Sequence, residues 1–424
     1  MPEESKKTPL NQWHKSNGAK MGTFGGYDIP LWYSSGIKTE HLAVLTRAGL
    51  FDTSHMAGVM VSGPGALDLL QWLFTKDLSR CLGMKTAPLV PGRCAYGAFL
   101  DENGYVVDDS IIFQLNDYIY MVYVNAGMGK TIARHFETYG KERDVEIKNM
   151  TDQIGKVDLQ GPMAAKVLKQ IVKGGDTILK DLIYFKFKGH FDVDIDIREP
   201  VFFNDGTPVL ISRTGYTGEF GFEVFVPPEK LVGIWENILD AGKSFDVIPC
   251  GLAARDSLRA GAVLPLSHQD IGDWPYINHP WTFALPYDDD QMGFTKRFLG
   301  DQSLLNVKHP EFTYPFAGFD LRKVSGGQKA SVFEPEQKTP LGTVLTCVTD
   351  MGIGRYKNRI YSIAASNIPD DFEPKGLSCG FVKVSKQLKP GQILELRDRR
   401  RIKVEVVDDI RPDRTARKPI KQML

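Results

Sequence analysis

Two adjacent aspartates inside an apolar run are the first residues of this chain that could do chemistry. They lie in Tyr105-Val106-Val107-Asp108-Asp109-Ser110-Ile111-Ile112-Phe113, where the β-branched neighbours predict a strand and Asp is disfavoured. A period of two puts Val107, Asp109, Ile111 and Phe113 on one face, and Val106, Asp108, Ser110 and Ile112 on the other. Asp109 thus shares the more apolar face. Buried there, it would be desolvated and would need a partner, and acids so placed are often functional. The other reading is a bulge or turn in which both aspartates cap backbone N–H groups.

A second reactive pattern is Arg213-Thr214-Gly215-Tyr216-Thr217-Gly218-Glu219-Phe220-Gly221-Phe222-Glu223. Val209-Leu210-Ile211 before it and Phe222–Val226 after it read as strands. Glycines three apart suggest a loop wider than a two-residue turn, whose backbone can approach something flat. Alternation sets Phe222, Val224 and Val226 on one face, with Glu223 and Phe225 on the other. A carboxylate beside an aromatic at the mouth of such a hairpin could receive a flat, amidine-like ring edge; a solvated surface Glu is the plainer reading. Arg255 and Arg259, four apart in Leu252–Arg259, share one helix face. They offer two guanidinium forks to a carboxylate or carbonyl, or a pair of structural salt bridges with Asp256 and nearby acids.

The elements that must position these groups are legible at coarse grain. A helix over 40–48 is stopped by Gly49, and a strand over 58–61 leads through Gly63-Pro64 into a helix over 66–74. Roughly a hundred residues later the unit recurs: Val157–Gln160, Gly161-Pro162, then a helix over 163–172. A strand over 118–124 ends at Asn125-Ala126-Gly127, and Leu231, Ile234, Trp235 and Ile238 mark a core-packed helix after Pro227-Pro228. Two related α+β lobes follow from this repeat. The segment 267–298, rich in Trp, His and Pro, reads as a long ordered loop, with His268, Trp274, His279 and Trp281 crowded together. Beyond about residue 295, short strands at 316–321, 340–346, 361–365, 380–384, 393–396 and 402–407 predict an all-β barrel or sandwich. Arg399-Arg400-Arg401 reads as a solvated turn between the last two.

Composition narrows the function classes. The 424 residues call for two or three domains. A net charge of +0 argues against a general nucleic-acid binder. No apolar run spans a membrane, and Met1-Pro2-Glu3-Glu4-Ser5-Lys6-Lys7 has no apolar signal core behind it. Five scattered cysteines without C-x-x-C spacing suggest free thiols in a reducing, cytoplasmic setting. No histidine pair has metal-ligand spacing, so no metal is expected. No nucleotide-binding glycine fingerprint stands out.

Further short motifs join these in a fixed order: Gly18-Ala19-Lys20-Met21, Glu40-His41-x-Ala43-Val44, Gly49-Leu50-Phe51-Asp52-x-Ser54-His55-Met56, Gly104-x-x-x-Asp108-Asp109, Val124-Asn125-Ala126 and Gln160-Gly161-Pro162. Thr214–Glu219 with Gly221-x-Glu223, then Gly251–Arg259, close the series. Together they resemble the aminomethyltransferase (T-protein) family of the glycine cleavage system and its relatives, the tetrahydrofolate-dependent demethylases. The resemblance implies an α+β fold of three lobes in a clover: two interleaved α+β lobes and a C-terminal β-barrel around a central channel for tetrahydrofolate. On this reading residues 1–290 form the folate-binding catalytic core and 291–424 the barrel domain. It implies Asp109 as the catalytic carboxylate near folate N5 and N10, Tyr216 and Glu223 lining the pterin pocket, and Arg255 contacting folate. Met56, Tyr96 and Asn125 are further cofactor-binding positions on the same ground.

The expected activity is transfer of the methylene of an aminomethyl-lipoyl carrier protein (H-protein-like) to tetrahydrofolate, with release of ammonia. The alternative is demethylation of a small S-, N- or O-methylated compound. The chain departs from the family where Leu-Tyr-Gly-x-Asp is replaced by Leu266-Ser267-His268-Gln269-Asp270, and the Trp and His side chains of the Ser267–Trp281 segment could line a pocket for such a compound. A third relative, the non-enzymatic folate-binding helper of iron–sulfur assembly, carries a Lys-Gly-Cys-Tyr-x-Gly-Gln stretch that is absent here.

Overall fold

The strand–Gly-Pro–helix unit read twice in the sequence is built twice in the computed structural model, which describes residues 5–83, 87–366 and 368–424. The polar start at residues 1–4 lies outside the described residues. Strand Ala57–Ser62 leads to helix Ala66–Leu73, and strand Gly155–Gln160 to helix Ala164–Ile171. The glycine between them takes a positive φ in both units, 115° at Gly63 and 129° at Gly161. A Cβ at Gly161 would lie 2.5 Å from the carbonyl oxygen of Arg47, and one at Gly63 2.5 Å from that of Asp144. Both turns therefore need glycine on two counts, its conformational freedom and its missing side chain.

Each unit seeds one mixed lobe. The first is a six-stranded sheet whose centre is hairpin Leu210–Ser212/Gly221–Val226, strand Gly155–Gln160 and strand Gly49–Asp52. The second is a five-stranded sheet ordered Cys94–Leu100, Val106–Gln114, Ile119–Val124, Ala57–Ser62, Glu146–Asn149. The chain enters the first sheet at Gly49, crosses to the second for residues 57–149, and returns at Gly155. The lobes are thus interleaved.

Alternation decides the layers. Phe222, Val224 and Val226 face the helices of the first lobe, packing with Leu168, Leu231, Ile234, Trp235 and Ile238. Each of those fully buried side chains contributes about 1.5–3 kcal/mol relative to exposure. Phe225, on the opposite face, meets Phe113 and Tyr123 of the second lobe in a separate cluster. The two sheets therefore face one another, each with its helices outside.

The third lobe is a closed barrel of strands Phe312–Gly318, Leu377–Val384, Gly342–Asp350, Ser331–Phe333, Ile393–Arg397 and Arg401–Val406. Two details differ from the sequence reading. The strand expected at 361–365 is Arg359–Ser362, which pairs with Ile353–Tyr356 in a hairpin outside the barrel. Ser331–Phe333, a barrel member, is too short to carry a periodic signal.

The tail after the barrel returns to the first lobe. Arg411, fully buried, binds Asp350 at 2.6 Å and Glu219 at 3.1 Å, while Arg213 reaches the carbonyl of Ala416 at 2.7 Å. His41 closes the joint, with Nε2 2.8 Å from Asp350 and Nδ1 2.8 Å from Ser257.

Candidate functional site

A cavity of about 1480 Å³ opens between the lobes, and most of the reactive residues singled out above meet there. Asp109, Tyr96, Asn125 and Ser110 line it from the second lobe; Tyr216, Glu223 and Arg255 line it from the first. Met56 and His55 stand between, and Arg414 and Asp409 come from the tail.

On the second-lobe wall, strand Val106–Gln114 carries both aspartates. Alternation separates them: Asp108 is fully buried, and Asp109 is partly open to the cavity. The face of Ile111 and Phe113 is apolar because it meets the opposing sheet, and it runs out into the cavity at Asp109. Tyr96 Oη donates to Asp109 Oδ2 at 2.8 Å, and Asn125 Nδ2 donates to Asp109 Oδ1 at 2.9 Å. Asp108 holds this arrangement from behind. It accepts from Asn125 N at 2.9 Å, Asn125 Nδ2 at 2.8 Å and Ser267 Oγ at 2.9 Å. Burial raises the pKa of both carboxyls, and the charge of Asp109 raises Asp108 further. Two desolvated carboxyls that share one asparagine amide hold a proton more tightly than either would alone.

The first-lobe wall is built on ion pairs. Glu223 accepts from Thr214 Oγ1 and receives Lys156 Nζ at 2.6 Å. Lys156, fully buried, also binds Asp158 at 2.6 Å, and Arg255 binds the other oxygen of Asp158 at 2.5 Å. Burial alone would raise the Asp158 carboxyl, but Lys156 and Arg255 outweigh it and bring the pKa below the usual value. The Arg255 guanidinium lies over the Tyr216 ring, 4.9 Å from its centroid, and Tyr216 Oη donates to the carbonyl of Pro265. The ring is held from two sides and lines the cavity.

Other expectations separate. Arg259 is committed to structure: it binds Asp270, Asp256 at 2.7 Å and Thr346 at 3.0 Å. The Trp274–Trp281 segment forms no aromatic cage. Trp281 is fully buried against Phe381 of the barrel, and Lys383 covers the Trp274 ring at 4.2 Å. From the 267–298 segment the cavity takes Ser267, His268, Gln269, Pro280 and Phe283, and neither tryptophan. Lys156 and Asp158 escaped the sequence reading. Their signal was present: two charges two residues apart, alternating with Val157 and Leu159, share one strand face as plainly as the aspartate pair breaks its own pattern. His55 is also buried here, its Nδ1 without a hydrogen-bond partner, and burial pushes its pKa down to about 4.

Among the described residues, no group of three or more His, Cys, Asp or Glu could hold a metal ion, and no helix is long and apolar enough to cross a membrane.

The model of the GCVT N-terminal domain matches residues 10–274, which span both walls of this cavity. The chain belongs to the GCVT family. It is 36% identical over 317 residues to the aminomethyltransferase of Natranaerobius thermophilus, covering 74% of this chain and 79% of that one. With the aminomethyltransferase of Bacillus subtilis it shares 39% identity over 302 residues, 70% of this chain and 76% of that one. The crystal structure of glycine cleavage system aminomethyltransferase T from Bartonella henselae superposes with a TM-score of 0.72 at 27% identity, over 95% of this chain and 96% of that chain. The GCVT fold, two interleaved α+β lobes and a barrel, is the one built here, and these relatives are transferases, as this chain is.

Proposed function

We propose that this GCVT member is a tetrahydrofolate-dependent aminomethyltransferase, taking the methylene of an aminomethyl-lipoyl carrier protein and releasing ammonia. The observation that carries the reading is the pairing of a hydrogen-bonded Asp109 on one wall with a Glu223–Arg255–Tyr216 cradle on the other, in one open cavity.

The residues present fit a reduced pterin. Each Glu223 oxygen has one partner, Lys156 or Thr214, and so keeps a lone pair for the N–H donors of a ring edge. Tyr216, stiffened by Arg255, offers an aromatic wall, with Met56 beside the pocket. When bound, tetrahydrofolate supplies two amine nitrogens that capture a one-carbon unit. Asp109 would orient that end of the ligand and hold or take a proton at Oδ1 or Oδ2, the oxygens that Asn125 and Tyr96 fix. The core for this chemistry is read as residues 1–290, with 291–424 as the barrel domain that braces it.

The demethylase alternative needs an aromatic enclosure for a methylated group, and the burial of Trp281 and the covering of Trp274 weigh against it. A cavity of about 1480 Å³ leaves room for an arm delivered by a carrier beside the folate. Five free cysteines accord with a cytoplasmic site of action. The deciding assay supplies enzyme and tetrahydrofolate with aminomethylated carrier protein, and separately with a panel of methylated small molecules. Methylenetetrahydrofolate and ammonia from the carrier are expected. Methyltetrahydrofolate from a small molecule, with no reaction from the carrier, would overturn the assignment.

A further inference from the structure

His268 occupies a costly position. Its φ is +60°, a left-handed conformation that non-glycine residues rarely adopt, and strain of this kind persists where surrounding structure enforces it. Its neighbours do enforce it. Ser267 donates to buried Asp108 at 2.9 Å, and Asp270 is locked to Arg259 and accepts from the backbone N–H of Leu266 at 3.0 Å. Between these two anchors the backbone turns outward, and the His268 side chain is 48% exposed in the cavity. The imidazole Nε2 lies 3.8 Å from Asp108 Oδ1, within ion-pair reach and a small side-chain rotation from a hydrogen bond. It makes no hydrogen bond to any described residue, so it is free to turn toward Asp108 or toward a ligand.

Asp108 has no other outlet. Its oxygens are occupied by Asn125 and Ser267, and it is wholly buried. From these positions we propose that His268 is the proton-exchange residue of the aspartate pair, passing a proton between the Asp108 carboxyl and the cavity. In the exchange the Asp108 O–H bond breaks and an Nε2–H bond forms, giving carboxylate and imidazolium; the reverse step returns the proton. Asp109, bridged to Asp108 through the Asn125 amide, then meets the ligand with its protonation set by the pair. His268 acts through Asp108 and is a positioning residue, not a catalytic one. The titratable and charged groups around this end of the cavity are Asp108 and Asp109 from strand Val106–Gln114, Tyr96 from strand Cys94–Leu100, Tyr216 from the hairpin loop, and Asp256 and Arg259 from helix Leu252–Gly261. Asp108 is the carboxylate within ion-pair distance of the imidazole.

The inference rests on the one-carbon-transfer reading for its consequence, but its physical content is tested without turnover. The His268 ring is titrated by NMR in the full chain without ligand, in wild type and in Asp108→Asn. Coupling requires the ring's titration curve to change in midpoint or shape when the Asp108 carboxyl is removed. An unchanged titration curve overturns the proposal. Under turnover, His268→Gly, which suits the left-handed backbone, is expected to lose roughly a hundredfold in kcat. KM for tetrahydrofolate should be little changed, and imidazole in the buffer should restore part of the rate. His268→Asn, which also tolerates this backbone, should show the same loss without rescue. Full activity in both variants across the pH range would refute the role. A wild-type enzyme inert toward every donor would count against the transferase assignment, and the NMR titration would then decide the proton exchange alone.

Discussion

Replacing Lys156 by methionine tests the first-lobe wall most sharply. The ammonium is fully buried and lies 2.6 Å from both Asp158 and Glu223, which are directly opposed across paired strands. Methionine keeps the length and apolar body of the side chain but leaves two carboxylates facing each other with one cation, Arg255, on the far oxygen of Asp158. Removing one member of a buried ion pair costs about 3–5 kcal/mol, because the partner stays behind uncompensated. Arg255 retains part of the field, so the lower end, about 3 kcal/mol, is expected. Like charges opposed on neighbouring strands work in the same direction.

The sign with pH follows from Asp158, whose folded pKa lies below its usual value under Lys156 and Arg255. Such a group contributes stability that is present above its unfolded pKa of about 3.9 and lost as pH falls through its folded value. The gap between wild type and Lys156→Met should therefore be widest near neutrality and narrow as pH drops below about 4. Denaturant unfolding across pH 3–8 measures it. Adding Glu223→Gln to Lys156→Met removes one orphaned charge and should recover about 2 kcal/mol. A loss under about 1 kcal/mol, flat with pH and additive with Glu223→Gln, would refute the claim that Lys156 neutralises this wall.

Asp109→Asn should lower kcat by about a hundredfold or more while calorimetric affinity for tetrahydrofolate changes far less; a more severe Asp108→Asn would reverse the roles of the pair. Glu223→Gln should instead weaken folate binding by about 1.5–3 kcal/mol, the worth of hydrogen bonds to a charged acceptor, read as a rise in Kd at nearly constant kcat once saturated. Arg411→Met should destabilise the chain by about 3–5 kcal/mol by orphaning Asp350 and Glu219, and limited proteolysis should find the tail after residue 406 exposed. Burial would raise Asp350, but His41 and Arg411 hold it far below the usual carboxylate range. Its stabilisation is present above about pH 4 and lost as pH falls below, so acid denaturation should begin there and should be blunted in Arg411→Met.

Much of this architecture could be read from the chain because it rests on local rules. Positive-φ glycines recur at Gly63 and Gly161, where a strand must turn sharply into a helix, so the repeat shows in sequence. Phe222, Val224 and Val226 separate from Phe225 by strict alternation, so the two-faced first sheet is written in the strand itself. The same alternation put Asp108 and Asp109 on opposite faces, but it does not say how deeply either is buried. An apolar face can mean a core or the wall of a cavity, and only the packing of the second sheet against the first distinguishes them. Tertiary structure likewise assigned the arginines. On one helix face Arg255 meets Asp158 beside the cavity, whereas Arg259 meets Asp270 and Thr346 in the joint with the barrel. The tryptophans of the loop became packing because the barrel lies against them. Charges and aromatics announce themselves in sequence, but what they do depends on which distant segment arrives opposite them, and no local pattern encodes that meeting.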